Sequence, residues 1–277
     1  PDAIAQGLRA PDALLRLGAL EASRTLAPAA RATLVAPLLD DPRLAVRLDA
    51  ARTLADVPAE HWSPAQRSRF AAALGELRRA LALDADRPES HVGLGLLALQ
   101  QGDLDAARSA YETATRIAPW FVPAYVNLAD LEQRSGRDPE GEPWLRRAIA
   151  VDPELAEPHH ALGLWLVRAG RGDEAEAELA RAAKLAPDNP RFAFAHALIV
   201  DARGAREEAL ALVEAALERH GGDRDLRFAA ASFAGSLGRR KQALAHARVL
   251  VAEWPDDPEA KALVTALEER ESAAPAP

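Results

Sequence analysis

Histidines are the residues of this chain best suited to chemistry, because an imidazole can bind a metal or transfer a proton near neutral pH. The chain has seven: His61, His91, His159, His160, His196, His220 and His246. No two lie four residues apart, the spacing that would direct two imidazoles to one metal from one helix face. The adjacent His159 and His160 would point about 100° apart on a helix. The pair therefore predicts one histidine in a seam between helices and one on the surface.

Other motifs for catalysis or cofactor binding are missing from the sequence. The chain has no cysteine, which excludes disulfides, thiolate metal sites, iron–sulfur clusters and covalently attached haem within these residues. Gly93-Leu-Gly95 lies within a helical pattern with no preceding strand, so it is not a dinucleotide-binding motif. Acidic pairs such as Asp173-Glu174 fall at predicted helix starts, where carboxylates favour the helix dipole. The sequence predicts no catalytic site, no metal and no cofactor.

The composition is typical of a helical protein without a basic face. Charged residues make up 27% and hydrophobic residues 49%, and the abundant Ala, Leu, Arg and Glu lose little freedom in a helix. Runs rich in β-branched and aromatic residues are missing, which favours an all-α fold. The net charge is −8 and arginines are scattered among acidic residues, so neither nucleic acid nor membrane insertion is expected. Arginine in place of lysine, with abundant alanine, indicates a GC-rich bacterial genome.

Five glycines recur at a constant interval of 34 residues. They are Gly102, Gly136, Gly170, Gly204 and Gly238. Seventeen residues after each glycine comes an equivalent position that is proline in four of the five repeats. These residues are Pro119, Pro153, Pro187, Gly221 and Pro255. Helices commonly end on a left-handed glycine and stop at proline, so each period predicts two helices joined by a short turn.

This pattern resembles the tetratricopeptide repeat (TPR) family, and residues 91–119, HVGLGLLALQQGDLDAARSAYETATRIAP, carry nearly its whole signature. The resemblance covers five repeats, residues 88–257. It implies a right-handed solenoid of helix hairpins, whose first helices line a concave wall where a protein or peptide partner is bound. The fourth and fifth repeats depart from the pattern at His196, Gly221, Ala230 and Ala247, so looser packing is expected there.

The segments on either side of these repeats follow other patterns. Residues 11–22 and 42–56 each place an apolar–Arg–apolar core after a proline, which resembles HEAT repeats and predicts HEAT-like helices over residues 1–60. Residues 61–87 predict a linking helix that starts at Ser63-Pro64 and ends in a degenerate TPR second helix. Residues 258–277 predict a capping helix followed by a disordered tail.

HEAT-like helices that lead into TPR repeats are similar to the C-terminal part of some bacterial multihaem c-type cytochromes. The Cys-x-x-Cys-His motifs of those proteins are missing here, so the resemblance is one of architecture and implies haems in a preceding part. The chain also opens without Met inside a helical pattern, which predicts a piece of a longer protein. Cytoplasm and periplasm both stay open, and the resemblance slightly favours periplasm.

Three sets of equivalent positions, each with one residue from every repeat, predict which side chains line the concave wall. We refer to these sets as the concave columns. They lie ten, six and three residues before the repeat glycines, a spacing that puts them on one helix face. Asn127 matches the family's carboxylate clamp, but Val92, Glu157 and Ala161 stand where that clamp needs Lys or Arg. A clamp on a chain-terminal carboxylate is therefore not expected. The residues predicted to bind a partner are Val92, Leu96, Leu99, Asn127, Asp130, His160, Leu164, Phe194, Leu198 and Phe228.

The predicted function is a protein-interaction scaffold that binds a protein or peptide through this concave face without catalysis. The sequence leaves open whether the face is free or is filled by the protein's own coil or its HEAT-like end. The main alternative is a non-catalytic repeat module of a larger redox protein, such as a periplasmic multihaem cytochrome. A targeting arm of a transferase is a further alternative, and the partner could be an upstream domain of the same chain.

Overall fold

The computed structural model describes residues 2–272, which form sixteen α-helices and three short 3-10 helices and contain no strand. The helices α1 to α8 are Asp2–Leu8, Ala13–Ser23, Pro28–Val35, Leu44–Thr53, Pro64–Leu83, Pro88–Gln100, Leu104–Ile117 and Val122–Arg134. The helices α9 to α16 are Gly141–Val151, Ala156–Arg168, Gly172–Leu185, Pro190–Ala202, Arg206–Leu217, Arg224–Ser236, Arg240–Glu253 and Pro258–Ser272. The all-α solenoid prediction is confirmed. The predicted disordered tail, from residue 273 onward, lies outside the described residues.

The helices group into two compact units, Pro1–Arg137 and Asp138–Pro277. The boundary falls between the two helices of the second predicted repeat, and not at one of the predicted limits. The first unit contains α1 to α8, and the second contains α9 to α16. The division into residues 1–60, 61–87, 88–257 and 258–277 stays a prediction.

Each of the five repeat glycines follows the end of the first helix of its predicted repeat. Their φ angles lie between 72° and 92°, in the left-handed region that a residue without a Cβ enters at little cost. After each glycine, the next backbone N–H returns to a carbonyl five residues earlier, as from Asp103 to Ala98 at 2.9 Å and from Arg171 to Leu166 at 2.9 Å. This bond satisfies a carbonyl that the helix end would leave unpaired.

The first unit has a core of fully buried aliphatic residues, including Leu20, Val46, Leu54 and Leu77. In its α6–α7 hairpin, Gly95 lies under the ring of Tyr111, where a Cβ would overlap the ring. Ser63 caps α5 through a reciprocal pair of hydrogen bonds with Gln66, so the helix begins at Pro64 as its sequence predicts.

The second unit repeats this hairpin packing with different residues. Gly163 of α10 lies against Leu179 of α11, and a Cβ there would stand 2.5 Å from the Leu179 Cγ. In the α14–α15 hairpin of the fifth repeat, Ala230 and Ala247 are fully buried, so the expected loosening is not seen there. The helix α16 buries Ala260 and Leu267 against the preceding helices.

Candidate functional site

A groove of about 440 Å³ opens over three helices of the second unit. Its lining comes from α10, α11 and α12 and consists of His160, Leu164, Val167, Leu179, Arg191, Phe194, Ala195, Leu198, Ile199 and Ala202. We refer to this surface as the α10–α12 groove. Four of the ten residues predicted to bind a partner belong to it, namely His160, Leu164, Phe194 and Leu198.

The lining follows from helical spacing. His160, Leu164 and Val167 are four and three residues apart on α10, so they share one face of that helix. On α12, Phe194 and Leu198 share a face with the small residue Ala202. Leu179 reaches the floor because Gly163 has no side chain to hold α11 away.

The groove is open and apolar. Leu164 is 37% exposed, and Val167 and Leu198 are each 43% exposed, while Phe194 is half-buried. Exposed aliphatic side chains are ordinary when scattered, but a contiguous set on one concave face is the usual mark of a binding surface. Among the described residues, this groove is therefore not filled.

His160 forms part of the floor of the α10–α12 groove. The residue is 4% exposed, and its ring packs against Phe192 with centroids 4.7 Å apart. Burial, with a contribution from the charge of Arg191, lowers the pKa of His160 to about 4. Near neutral pH the imidazole is therefore uncharged, and its Nδ1 has no hydrogen-bond partner among the described residues.

The adjacent His159 is also buried, so the prediction of one surface histidine is wrong. Its Nδ1 lies 2.6 Å from Glu178 Oε2, and its Nε2 lies 3.0 Å from the carbonyl oxygen of Pro153. The helix α10 has helix neighbours on two sides, α9 and α11, and the carboxylate and carbonyl satisfy the ring within that packing. Both adjacent histidines are therefore covered by residues of neighbouring helices.

Arg191 supplies the one formal charge in the lining of the groove. It is exposed and lies in the first turn of α12, one helical turn before Phe194. Within residues 2–272, its guanidinium makes no ion pair or hydrogen bond. The result is an apolar groove with a single cation at one end.

The first unit has a separate cleft of about 490 Å³, which we refer to as the α6 cleft. Its lining includes the predicted residues Val92 and Leu96 and the apolar Leu77, Leu81 and Leu97. It also includes the charged residues Arg24, Arg31, Arg52 and Glu89. Leu96 is 43% exposed, and Val92 is half-buried. The predicted residue Leu99 is also half-buried but is not among the lining residues.

The other predicted residues lie in neither the α6 cleft nor the α10–α12 groove. The amide of Asn127 donates to the Pro123 carbonyl oxygen at 2.7 Å, and Asp130 pairs with Arg134 at 2.7 Å, so both polar groups are bound within α8. Phe228 is half-buried, with the Arg224 guanidinium 5.7 Å from its ring centroid. Their assignment to a partner site stays a prediction.

The described residues also bear on metal binding and on membrane insertion. No group of three or more His, Asp or Glu side chains in residues 2–272 is placed to hold a metal ion. None of the helices described combines the length and the apolar character that crossing a membrane requires.

Two family models of the tetratricopeptide repeat match the central part of this chain. One matches residues 65–119 and 160–224, and a second matches residues 98–164. Together they span residues 65–224, more than half of the 277 residues. The chain belongs to the tetratricopeptide repeat family. The match begins at residue 65, inside α5, so the TPR pattern extends upstream of residue 88.

Solved structures share the fold at low sequence identity. The structure of YrrB, described as a TPR protein with an unusual peptide-binding site, is 19% identical, covers 69% of this chain and 96% of its own, and has a TM-score of 0.52. Pseudomonas aeruginosa PilF is 20% identical, covers 71% and 88%, and has a TM-score of 0.56. Both likenesses show the fold alone.

A curated relative matches a smaller part of this TPR protein. The Protein CTR9 homolog of Arabidopsis thaliana is 33% identical over 85 residues, which is 31% of this chain and 8% of that protein. This chain thus spans a small fraction of the relative's length.

Six lining residues of the α10–α12 groove were missed from the sequence, and Val167, Arg191 and Leu179 among them show why. Val167 belongs to the column three residues before the glycine and could have been included. Arg191 lies three residues before Phe194, hence on the same face, and no carboxylate stands three or four residues after it to pair with it. Leu179 comes from the second helix of its hairpin, and the concave columns contain first-helix residues alone.

Proposed function

We propose that this TPR protein is a non-catalytic scaffold that binds an apolar segment of a protein or peptide in the α10–α12 groove. The observation that carries the proposal is a contiguous lining of aliphatic and aromatic side chains, three of them more than a third exposed, with one formal charge. Burying apolar surface stabilises a complex by roughly 25 cal/mol per Å², before the costs of association.

The shape of the groove favours an amphipathic helix or a short extended segment as its occupant. The lining follows α10 and α12 at spacings of three and four residues, and an amphipathic helix presents its own apolar residues at the same spacing. The peptide-binding site attributed to YrrB is a precedent for binding of this kind by a protein of this fold.

The proposal is tested with a substitution whose matched control lies in the other unit. Leu198 and Leu96 stand at the same position of their repeats and are both 43% exposed. A ligand is first selected from short random peptides displayed on phage, with this protein as bait, and is then synthesised with a fluorescent label. Changes in anisotropy give its Kd for the wild type, Leu198→Glu and Leu96→Glu.

We expect Leu198→Glu to weaken binding about 30-fold or more, because a carboxylate would be desolvated against Phe194 and Leu164. Leu96→Glu should leave the Kd within about threefold, because it lies outside the groove. Circular dichroism and thermal melting should be unchanged for both variants. Equal losses, or no loss for Leu198→Glu, would contradict groove binding, and so would a failure to select any peptide.

A further inference from the structure

We infer that the segment bound in the α10–α12 groove carries an acidic side chain, Asp or Glu, beside its apolar residues, and that Arg191 binds this carboxylate. The inference rests on the proposed function, since it names the chemistry of the partner for that same groove. It is carried by the pairing of charges in the second unit and by the lining of the groove.

Arginines near the groove are satisfied by carboxylates of the chain, and Arg191 is not. Arg168 Nη2 lies 2.9 Å from Asp138 Oδ1, and Arg171 Nη2 lies 2.6 Å from Glu174 Oε2. Arg203 Nε lies 2.5 Å from Glu176 Oε2. Within the described part of the chain, the guanidinium of Arg191 has no such partner, although it lines the groove.

The surroundings of Arg191 favour an anion at this end of the groove. The first turn of α12 contains no acidic residue, and its backbone N–H groups contribute a further positive potential there. His160 is uncharged near neutral pH, so no second cation lines the groove. On α10, Glu157 is exposed one turn before His160 but is not among the lining residues. A partner with a basic residue at this position would be repelled, because it would meet Arg191.

A carboxylate within the segment fits this surface better than one at the end of a chain. A terminal carboxylate is normally held by several donors, and Arg191 is the one charged donor in the lining. From Arg191 to Ala202, the lining of α12 extends for eleven residues, or about 16 Å at the rise of an α-helix. A bound helix of about three turns would cover this length, with its acidic residue near one end.

The test uses the peptide selected for the proposed function, acetylated and amidated so that its carboxylates come from side chains alone. Anisotropy gives the Kd for Arg191→Gln, for a peptide with its acid replaced by Gln, and for both changes together. We expect each single change to weaken binding about tenfold, and the double change to add little. Arg191→Glu should regain affinity for a peptide whose acid is replaced by Lys, and raising the salt concentration should weaken the wild-type complex more than the Arg191→Gln complex.

The control variant is Arg168→Gln, since Arg168 is bound to Asp138, and its Kd should stay within about twofold of the wild type. One outcome would overturn this inference and leave the proposed function standing. In that outcome Leu198→Glu abolishes binding, but Arg191→Gln and replacement of the peptide's acid by Gln leave the Kd unchanged. A requirement for a free C-terminal carboxylate would overturn it too. Binding insensitive to Leu198→Glu would remove the proposed function, and this inference with it.

Discussion

The α6 cleft and the α10–α12 groove have similar volumes, about 490 and 440 Å³, and opposite chemistry. Leu96 and Leu198 stand at the same place in their repeats with the same exposure, 43%. The first lies in a cleft that contains four charged residues, and the second in a groove that contains one. The repeat thus determines where these side chains stand, and the neighbouring residues determine what they can bind.

The charges of the α6 cleft are bound within the chain. Arg31 Nη2 lies 2.8 Å from Asp56 Oδ2, and Arg24 Nη2 lies 3.3 Å from Asp49 Oδ1. Carboxylates of the chain itself thus neutralise these arginines of the cleft. Arg191 has no such partner among the described residues. The difference indicates that the charges of the first unit stabilise its fold, while that of Arg191 is available to a partner.

The largest predicted effect on stability tests whether the paired charges of the first unit stabilise its fold. Arg16 Nε lies 2.8 Å from Asp41 Oδ2 in the first unit, with side chains 11% and 5% exposed. Asp41→Ala should lower the free energy of unfolding by about 3 kcal/mol, because it leaves a buried guanidinium without its carboxylate. Chemical denaturation followed by circular dichroism measures the loss.

Asp138→Ala is the matched control in the second unit. Asp138 pairs with Arg168, and the two side chains are 32% and 37% exposed. A solvent-exposed pair contributes little, so this change should cost less than about 1 kcal/mol. Equal losses in the two variants would show that buried ion pairs do not distinguish the first unit.

The second prediction concerns the two close helix contacts. Alanine at Gly95 would overlap the Tyr111 ring, and alanine at Gly163 would stand 2.5 Å from Leu179 Cγ. Each change should cost about 2 kcal/mol through overpacking. Since Leu179 lines the α10–α12 groove and Tyr111 does not, Gly163→Ala should also weaken peptide binding, and Gly95→Ala should leave it unchanged.

Gly18→Ala is the control for both glycine variants. Gly18 is an exposed residue of α2, and a Cβ added there would meet no atom within 4 Å. Alanine there should raise the stability by up to about 1 kcal/mol, because it favours the helix. Thermal melting and anisotropy separate these results. Equal losses of peptide binding in Gly95→Ala and Gly163→Ala would contradict the prediction, because a general loss of packing, and not the position of Leu179, would then weaken binding.

The sequence predicted the repeats well because their signals are local. A glycine at the end of a helix adopts a positive φ for reasons contained within one turn, and all five do so. The concave columns were predicted by the same local logic, which placed Leu164 and Leu198 together in one groove. The HEAT-like interpretation of residues 1–60 and the similarity to cytochromes rest on degenerate patterns and stay predictions.

What the sequence did not predict depends on neighbours that are distant along the chain. His160 is buried because Phe192, 32 residues later in the sequence, packs on its ring. Arg191 is unpaired because no carboxylate from another described helix reaches it, which a single-helix pattern does not reveal. Burial and charge pairing are properties of the packed fold, so the chemistry of the groove emerges only when the helices are assembled.

The smallest predicted effect uses the buried imidazole of the groove floor. Burial lowers the pKa of His160 from 6.5 to about 4. Between these two values, His160 is therefore protonated in the unfolded chain and largely unprotonated in the folded protein. Stability should therefore fall as the pH drops from about 7 toward 5, and the shift sets an upper limit of about 2 kcal/mol on this loss. We expect His160 to account for about 1 kcal/mol, since ring and solvent can rearrange around the charge.

Urea denaturation near pH 7 and near pH 5 measures this effect in the wild type, His160→Leu and His160→Gln. Both variants lack the titrating group, so their stability should depend less on pH than that of the wild type, whatever each substitution costs in packing. Peptide binding by the wild type should stay constant between about pH 7.5 and 6, because the imidazole remains uncharged there and Arg191 alone sets the charge of the groove. If both variants keep the pH dependence of the wild type, His160 is protonated as easily in the folded protein as in the unfolded chain. The α10–α12 groove would then carry a second positive charge near pH 5 and would resemble the charged α6 cleft more closely.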